Sequence, residues 1–337
     1  MKNLYVLLIG VLLLASCASN SNNEDAEQSV TELKVMTWNI WGKLNLEPKY
    51  SINGKTARKR VIEIIKESKA DIITMTETYG SAKDIAEALG FHYYTPAADA
   101  NLTIFSRYPL ASSGNLENIS SFSFIQALVN LPNNKQVKVF NIWLTSGGRH
   151  IVAIKDEKLS DEDFNKGDEN RHKHLHELLN HNDFKNSMLA KNEVPVIVAG
   201  DFNCVSHLDY TTDTKKKGLN YSRVLDCQTS KAMAKAGFTD SYRYMHPDVT
   251  EKTLGHTWTT VGLGYTYKSG EGFVPVEKNP RPQYQDPYAR IDFIYCAGNG
   301  IKPVDSRTIL HHSSNQERSF PEFPSDHGAV ISTFSIH

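Results

Sequence analysis

The sequence carries almost no surplus of charge of one sign: 37 Lys and Arg face 38 Asp and Glu, a formal net charge of −1 over 337 residues. Without a broad basic field, nothing in that balance advertises a nucleic-acid partner, though it does not rule one out. Local basic clusters at Lys55, Arg58, Lys59 and Arg60 and at Lys215 to Lys217 read as solvated faces. Cysteine is scarce, with 4 in the chain. Once Cys17 is set aside, Cys204, Cys227 and Cys296 remain, an odd set that no complete disulfide framework uses and whose spacing fits no zinc motif. Cys204 reads as a small buried apolar residue. No internal stretch of Pro and Gly separates two halves, which argues for one large domain over residues 31–337. Long apolar runs are missing too, except Leu4 to Ala15, which is too short to span a bilayer comfortably.

That run follows the positive start Met1-Lys2-Asn3 and reads as a signal peptide. It closes on Leu14-Ala15-Ser16-Cys17, which resembles the bacterial lipobox. Residues 1–17 are therefore expected to be a lipoprotein leader, with Cys17 lipidated and becoming the mature N-terminus; an ordinary signal peptide with an incidental cysteine is the weaker alternative. Residues 18–30 are rich in Asn, Ser, Glu and Asp and bury too little to offset the entropy of ordering, so they read as a flexible tether. The expected location is a bacterial cell envelope, outside the cytoplasm, with the chain held to the membrane by Cys17 and acting as a monomer.

From Thr31 onward, short apolar runs alternate with amphipathic segments, the pattern of an α/β fold with much buried strand. Leu33 to Trp38 and Asp71 to Thr76 read as strands, with a helix from Thr56 to Lys69 between them. Ser81 is expected to cap a short helix that stops at Gly90. Phe124 to Leu131 and Val137 to Leu144 flank Pro132-Asn133-Asn134-Lys135, a turn signal for an antiparallel hairpin, so the sheet is mixed. Lys155 to Asn170 reads as a solvated loop before a long helix from about Arg171 to Lys191. Pro195 to Ala199 is a buried strand, a helix lies around Ser230 to Lys235, and strands are expected at Ile291 to Cys296 and Gly328 to Phe334. Between them Val261 to Tyr288, rich in Gly, Pro and Tyr, reads as a loop forming a wall of a cleft or a lipid-touching surface.

Three apolar runs end in a polar residue of catalytic type, at Asn39, Glu77 and Asp201. Strand ends in one sheet converge on a common edge, so these residues are placed to share a site despite their separation. Asp292, in Arg290-Ile291-Asp292-Phe293, and Asp326, beside His327 in Pro324-Ser325-Asp326-His327, complete the set. Carboxylates hold a hard cation such as Mg²⁺ or Mn²⁺ through oxygen. A cation neutralises phosphate oxygens, and a histidine oriented by a carboxylate moves a proton near neutral pH. The mixture suits phosphoester hydrolysis.

Thr37-Trp38-Asn39, Thr76-Glu77-Thr78, Gly200-Asp201-Phe202-Asn203, Arg290-Ile291-Asp292-Phe293 and Ser325-Asp326-His327 resemble, in this order, the motifs of the endonuclease/exonuclease/phosphatase family, whose members include DNase I-like nucleases, sphingomyelinases and inositol polyphosphate phosphatases. The resemblance implies a four-layer α/β sandwich, two mixed sheets face to face with helices outside. It also implies roles: Glu77, Asn39 and Asp326 at a Mg²⁺ or Mn²⁺ ion; Asn203 on the scissile phosphate; Asp201 positioning or deprotonating water; His327, paired with Asp292, as the other acid or base. Which of Asp201 and His327 is the base stays open. Two departures stand out. Trp41 occupies the place where many of the family's nucleases carry an acid, so a single tightly held ion is expected. Trp143 stands where many members carry a histidine, with His150 a few residues on as a substitute or a surface residue.

Other residues weigh towards plain readings. His172 and His176 lie one helical turn apart, yet no further zinc ligand is indicated, and a solvated helix face fits better. His207, Asp209 and Asp240 read as loop-structuring hydrogen bonders; in His256-Thr257-Trp258 the tryptophan reads as core and His256 as a marginal site candidate. The expectation is a metal-dependent phosphodiesterase or phosphatase acting on a lipid head group or small phosphoester. An extracellular nuclease is the first alternative. A non-catalytic binding lipoprotein, which Trp143 favours, is the second.

Overall fold

The computed structural model describes residues 31–42, 56–146, 151, 154–155, 159–258, 260, 265–268, 272–275, 288–310 and 323–337. Residues 1–30, read above as leader and tether, and His150 lie outside them. In chain order the strands are β1 (Thr31–Asn39), β2 (Ile72–Thr76), β3 (His92–Tyr94), β4 (Thr103–Ser106), β5 (Leu110–Asn115), β6 (Phe124–Asn130), β7 (Gln136–Trp143), β8 (Val196–Asp201), β9 (Thr239–Asp240), β10 (Tyr265–Lys268), β11 (Gly272–Pro275), β12 (Asp292–Ala297), β13 (Ile301–Ile309) and β14 (Ala329–Ile336). The helices are α1 (Ala57–Ser68), α2 (Ala82–Leu89), α3 (Asp161–Asn180), α4 (Asn182–Leu189), α5 (Thr212–Lys216), α6 (Gln228–Lys235) and α7 (Ser241–Met245).

Two six-stranded sheets, ordered β13-β14-β1-β2-β4-β3 and β5-β6-β7-β8-β12-β9, pack face to face. Only β1 with β2 and β7 with β8 run parallel, so both sheets are mixed. The alternation of each strand sorts its apolar residues to two sides. Leu33, Val35, Ile104, Val139, Ile197 and Ile294 fill the space between the sheets. Met36, Trp38, Ile73 and Met75 point outward onto Val61, Ile64, Ile65 and Ile85 of α1 and α2. Phe140, Ile142 and Val198 do the same on the other side, against Leu175, Leu178, Phe184 and Met233 of α3, α4 and α6. The result is the four-layer α/β sandwich. Asn141, near the C-terminal end of β7, joins the two sheets, its Nδ2 donating to the carbonyls of Met75 (2.8 Å) and Thr103 (2.9 Å).

Parallel pairing brings the C-terminal ends of β1, β2, β7 and β8 to one edge, with Trp143 opposite Asp201. Antiparallel β12 starts there, Asp292 opposite Asp201, and His327 precedes β14 at the same edge. At the end of β8 the backbone of Gly200 has φ +152° and runs so close to β7 that a Cβ would lie 1.9 Å from the Ile142 carbonyl oxygen. Gly200→Ala is expected to cost about 3 kcal/mol through that clash and the strained φ, read as the loss of unfolding free energy in urea; a cost below about 1 kcal/mol would contradict the close approach.

Several expectations are corrected. The segment read as a solvated loop to Asn170 is helix α3 from Asp161 onward, started by a capping box in which Ser160 and Asp163 exchange hydrogen bonds. The helix ends at Asn180, where His181 takes extended backbone and caps α4, so the expected single helix to Lys191 is two. Ser81 makes no side-chain cap to α2; its hydroxyl instead donates to the Thr78 carbonyl. Within the stretch read as a loop, β10 and β11 pair antiparallel, and the rest of it lies largely outside the described residues. His172 and His176 are half-buried rather than solvated, their Nε2 atoms 3.1 Å apart in a hydrogen bond. Pro132 to Lys135 does turn β6 into β7.

Candidate active site

A cleft of about 290 Å³ opens at the edge where the strand ends meet. Asn39, Glu77, Asp201, Asn203 and His327 line its polar side, and Trp143, Trp258 and Ile291 its apolar side. Asp292 and Asp326 stand behind this surface, attached to it through His327 and Trp258.

The turns after the strands aim these groups. Glu77 follows β2 in a left-handed backbone conformation (φ 59°), its N–H fixed by Asn101 Oδ1 at 2.9 Å. Asn203 is likewise left-handed (φ 48°), its N–H donating to Asp201 Oδ1 at 2.8 Å. Strained non-glycine residues persist where the surroundings hold them, and here both lie in the cleft. Ser325 ties the last motif to β1: its Oγ donates to the Asn39 carbonyl at 2.7 Å and accepts from His327 N at 3.0 Å. The indole of buried Trp38 donates to the His327 carbonyl at 2.8 Å. Thr257 organises the start of β12, its Oγ1 accepting from the N–H groups of Ile291 (3.1 Å) and Asp292 (3.2 Å).

Asn39 and Asn203 are oriented unambiguously by their networks. Asn39 Oδ1 accepts from Trp41 N, so its Nδ2 faces Glu77 Oε1 (3.1 Å) and Asp201 Oδ2 (3.0 Å). Asn203 Nδ2 donates to the Leu144 carbonyl (2.9 Å) and to Asp201 Oδ2 (3.1 Å). Each amide therefore spends both of its hydrogens inside the protein.

His327 links two carboxylates. Its Nδ1 lies 2.9 Å from Asp292 Oδ2 and its Nε2 4.0 Å from Asp201 Oδ2. Burial alone would pull the imidazole down, but the charges of Asp292 and Asp201 and the hydrogen bond to Asp292 outweigh it and push the group up to about 10. Asp201 is pushed up to about 7, first by burial and then by Asp292, against the opposing effect of His327 and of the amides that donate to it. Among the described residues these three form a cluster whose candidate ligand atoms lie within 4.8 Å of one another. Because Nδ1 is engaged with Asp292, the cluster has the form of a proton relay.

Glu77 and Asp326 fit a hard cation better. Asp326 is pushed up to about 7, first by burial, with His327 acting the other way and Glu77 adding repulsion. Its Oδ1 is buried without a hydrogen-bond partner, while Trp258 bonds the carboxyl. Like-charged oxygens with an unmet acceptor are the donor set Mg²⁺ or Mn²⁺ takes.

A second buried network stabilises the loops behind the cleft. Arg290 donates to Asp209 (Nε to Oδ2, 2.9 Å) and Asp240 (Nη1 to Oδ2, 2.7 Å), and Arg243 Nε donates to Asp209 Oδ1 at 3.0 Å. His207 is held by Ser230 Oγ on both its N–H and Nδ1, each at 2.8 Å. These are the loop-structuring roles expected for Asp209, Asp240 and His207. Removing one partner strands buried charge, so Arg290→Met is expected to cost about 3–5 kcal/mol of stability, measured by chemical denaturation; a variant within about 1 kcal/mol of the parent would show the network contributes little.

Sequence reasoning missed Trp258, read as core, which lines the cleft and bonds Asp326. It also missed Arg171, which reaches the cleft from α3. The available signal was a buried stripe, Phe164, Asp168, Arg171, Leu175 and Leu178, in which two charged residues occupy the inward face of an amphipathic helix. His256 lies half-buried with its ring stacked on Tyr288 at 6.0 Å and does not line the cleft. Cys204 is buried in the core between the second sheet and its helices. Trp143 is half-buried, edge-on to Phe122 at 5.3 Å, in the cleft wall.

Comparison with known proteins agrees with this architecture. An uncharacterized protein of Caenorhabditis elegans is 25% identical over 347 residues, covering 98% of this chain and all of that one. Among solved structures, truncated TDP2 from Caenorhabditis elegans superposes with a TM-score of 0.55 at 19% identity, over 90% of this chain and 97% of the other. An AP endonuclease from Archaeoglobus fulgidus gives 0.51 at 17% identity, over 89% and 98%. At such identities the likeness establishes the fold. The model of the Endonuclease/Exonuclease/phosphatase family matches residues 36–327, from the strand that ends in Asn39 to His327, and the chain belongs to that family.

Proposed function

We propose that this protein is a divalent-cation-dependent hydrolase of phosphoesters, exported and tethered to a membrane through lipidated Cys17, acting on a lipid head group or a small phosphoester. The observation that carries the chemistry is the Asp292–His327–Asp201 array beside Glu77 and Asp326, at one edge of the sandwich. What supports the tether is the run ending in Leu14-Ala15-Ser16-Cys17. An ion held by Glu77 and Asp326 would supply charge neutralisation at the phosphate.

The chain's own groups do the rest. Asp292 fixes the His327 ring and keeps Nδ1 protonated, leaving Nε2 toward the cleft, where it moves a proton to or from the reacting oxygens. Asp201, drawn up toward neutrality, lies where it can orient a water or accept its proton. Asn39 bridges Glu77 and Asp201 and holds the two carboxylates in register; with its oxygen turned to Trp41, it acts by positioning Glu77. Asn203 locks Asp201 to the end of β7. Trp143, Trp258 and Ile291 exclude water from one side.

The test is turnover of bis-p-nitrophenyl phosphate, p-nitrophenyl phosphate, sphingomyelin and plasmid DNA with Mg²⁺ or Mn²⁺, beside Glu77→Ala. Metal-dependent turnover lost in the variant is the expected result, and the preferred substrate separates diesterase, monoesterase and nuclease. Absence of turnover on all of them would favour a binding protein. For the tether, Cys17→Ser is expected to release the chain from membranes; unchanged fractionation would count against lipidation.

A further inference from the structure

The cleft has few hydrogen-bond donors to offer an anion. The Asn39 and Asn203 amides spend their hydrogens on Glu77, Asp201 and the Leu144 carbonyl. Trp258 is engaged with Asp326, and the Trp143 Nε1 lies beneath the surface. Meanwhile Glu77 and Asp201 give this wall negative charge. A phosphoester carries anionic oxygens that need donors or cations in return. Besides His327, the cation among the described lining residues is Arg171.

Arg171 is built in. Its residue is 1% exposed, and a guanidinium stays charged when buried, so its placement has to be supported by the surroundings. The support is visible on two sides. Nη1 donates to the Gly167 carbonyl at 2.8 Å, one turn back on α3. One residue further, Asp168 takes the Thr229 N–H on Oδ2 (3.1 Å) and the Thr229 hydroxyl on Oδ1 (2.6 Å), clamping the first turn of α6 to α3. The helix that carries the guanidinium is thereby fixed against its neighbour, and the charge is held within electrostatic reach of Asp201.

We propose that Arg171 is a catalytic residue that binds the phosphate: α3 presents its guanidinium to the cleft beside Asp201 and Asn203, where it takes non-bridging oxygens of the ester through charge-assisted hydrogen bonds. This rests on the phosphoester reading above. It places the positive side of the cleft on a helix behind β7, whereas the family resemblance looks for a histidine at the place of Trp143. The planar fork is matched to two phosphate oxygens in a way that an ammonium is not.

The experiment measures inorganic phosphate binding by calorimetry in Mg²⁺, and bis-p-nitrophenyl phosphate turnover, for the full chain and for Arg171→Lys and Arg171→Met. The expected result is phosphate affinity weakened about ten- to a hundredfold in the Met variant, with turnover falling in parallel, and a smaller loss in the Lys variant. Should the Met variant not fold, the Lys variant carries the comparison. Phosphate affinity within about threefold of the parent in a folded variant overturns the proposal even where turnover falls, because the residue would then only hold the cleft wall. A parent chain that neither binds phosphate nor turns over the diester overturns the phosphoester reading itself, and Arg171's role with it.

Discussion

Replacing His327 by glutamine is expected to lower turnover of a phosphodiester by about 10²–10⁴-fold, the range that removal of a positioned acid or base produces. Glutamine preserves a hydrogen-bonding side chain of similar reach but cannot carry a proton at neutral pH. The buried ring is held by three contacts: Nδ1 on Asp292, its N–H on Ser325, and its carbonyl on the Trp38 indole. Two of these use the backbone and survive the change, so the loop should keep its course. What is lost is the cation between Asp292 and Asp201, two buried carboxylates that repel each other without it. A stability loss of a few kcal/mol is therefore expected as well. It is separated from the catalytic effect by measuring kcat under conditions where circular dichroism shows the variant folded. A folded variant with kcat within about tenfold of the parent would remove His327 from the chemistry.

Three of the candidate site residues, Asn39, Glu77 and Asp201, were legible because each sits where an apolar run stops. Asn39 ends β1, Glu77 directly follows β2 and Asp201 ends β8, and parallel pairing carries such ends to a common edge. Asp292 and His327 were legible through motif context, and antiparallel register then sets Asp292 opposite Asp201. The start of α3 was hidden because its inward face includes Asp168 and Arg171; polar residues at buried positions erase the periodicity by which a helix is recognised. Edge strands were hidden for a related reason. β3 and β5 are largely exposed, and β13 carries Pro303 and a register shift next to it, so neither an apolar run nor a clean alternation marks them. The split between α3 and α4 at His181 has no Gly or Pro to announce it. Trp258 and Arg171 belong to the site only through tertiary proximity, which local pattern does not encode. Nor does local pattern show that Asn39 and Asn203 turn their hydrogens inward, a fact that depends on partners such as Trp41 and Leu144.

Asp292→Asn is expected to lower kcat by about 10³–10⁴-fold, as when a buried carboxylate behind a catalytic imidazole becomes an amide and the ring loses its proper tautomer. The change is nearly isosteric, so its effect reports charge. His327 is pushed up to about 10: burial opposes this, and Asp292, through its charge and its hydrogen bond, is the leading cause in favour. A folded value above the ordinary one of about 6.5 means that His327 adds stability in full below about pH 6.5, and that this stability fades as pH rises through about 10. With Asn at position 292 the leading upward influence is gone while burial remains, so the imidazole should titrate far lower. The parent should thus lose unfolding free energy between about pH 7 and 10 in a way the variant does not, and NMR of the ring Cε1–H should show the midpoint falling well below that of the parent. The same substitution changes the pH dependence of turnover. If the protonated ring is the working form, the parent stays active into the alkaline range and the variant keeps its residual activity only toward acid. If the neutral ring is the working form, the variant's residual activity extends to lower pH than the parent's. An unmoved titration midpoint would mean that Asp292 does not set the protonation of His327, and the relay from β12 through the ring to the cleft would have to be abandoned, whatever the substrate.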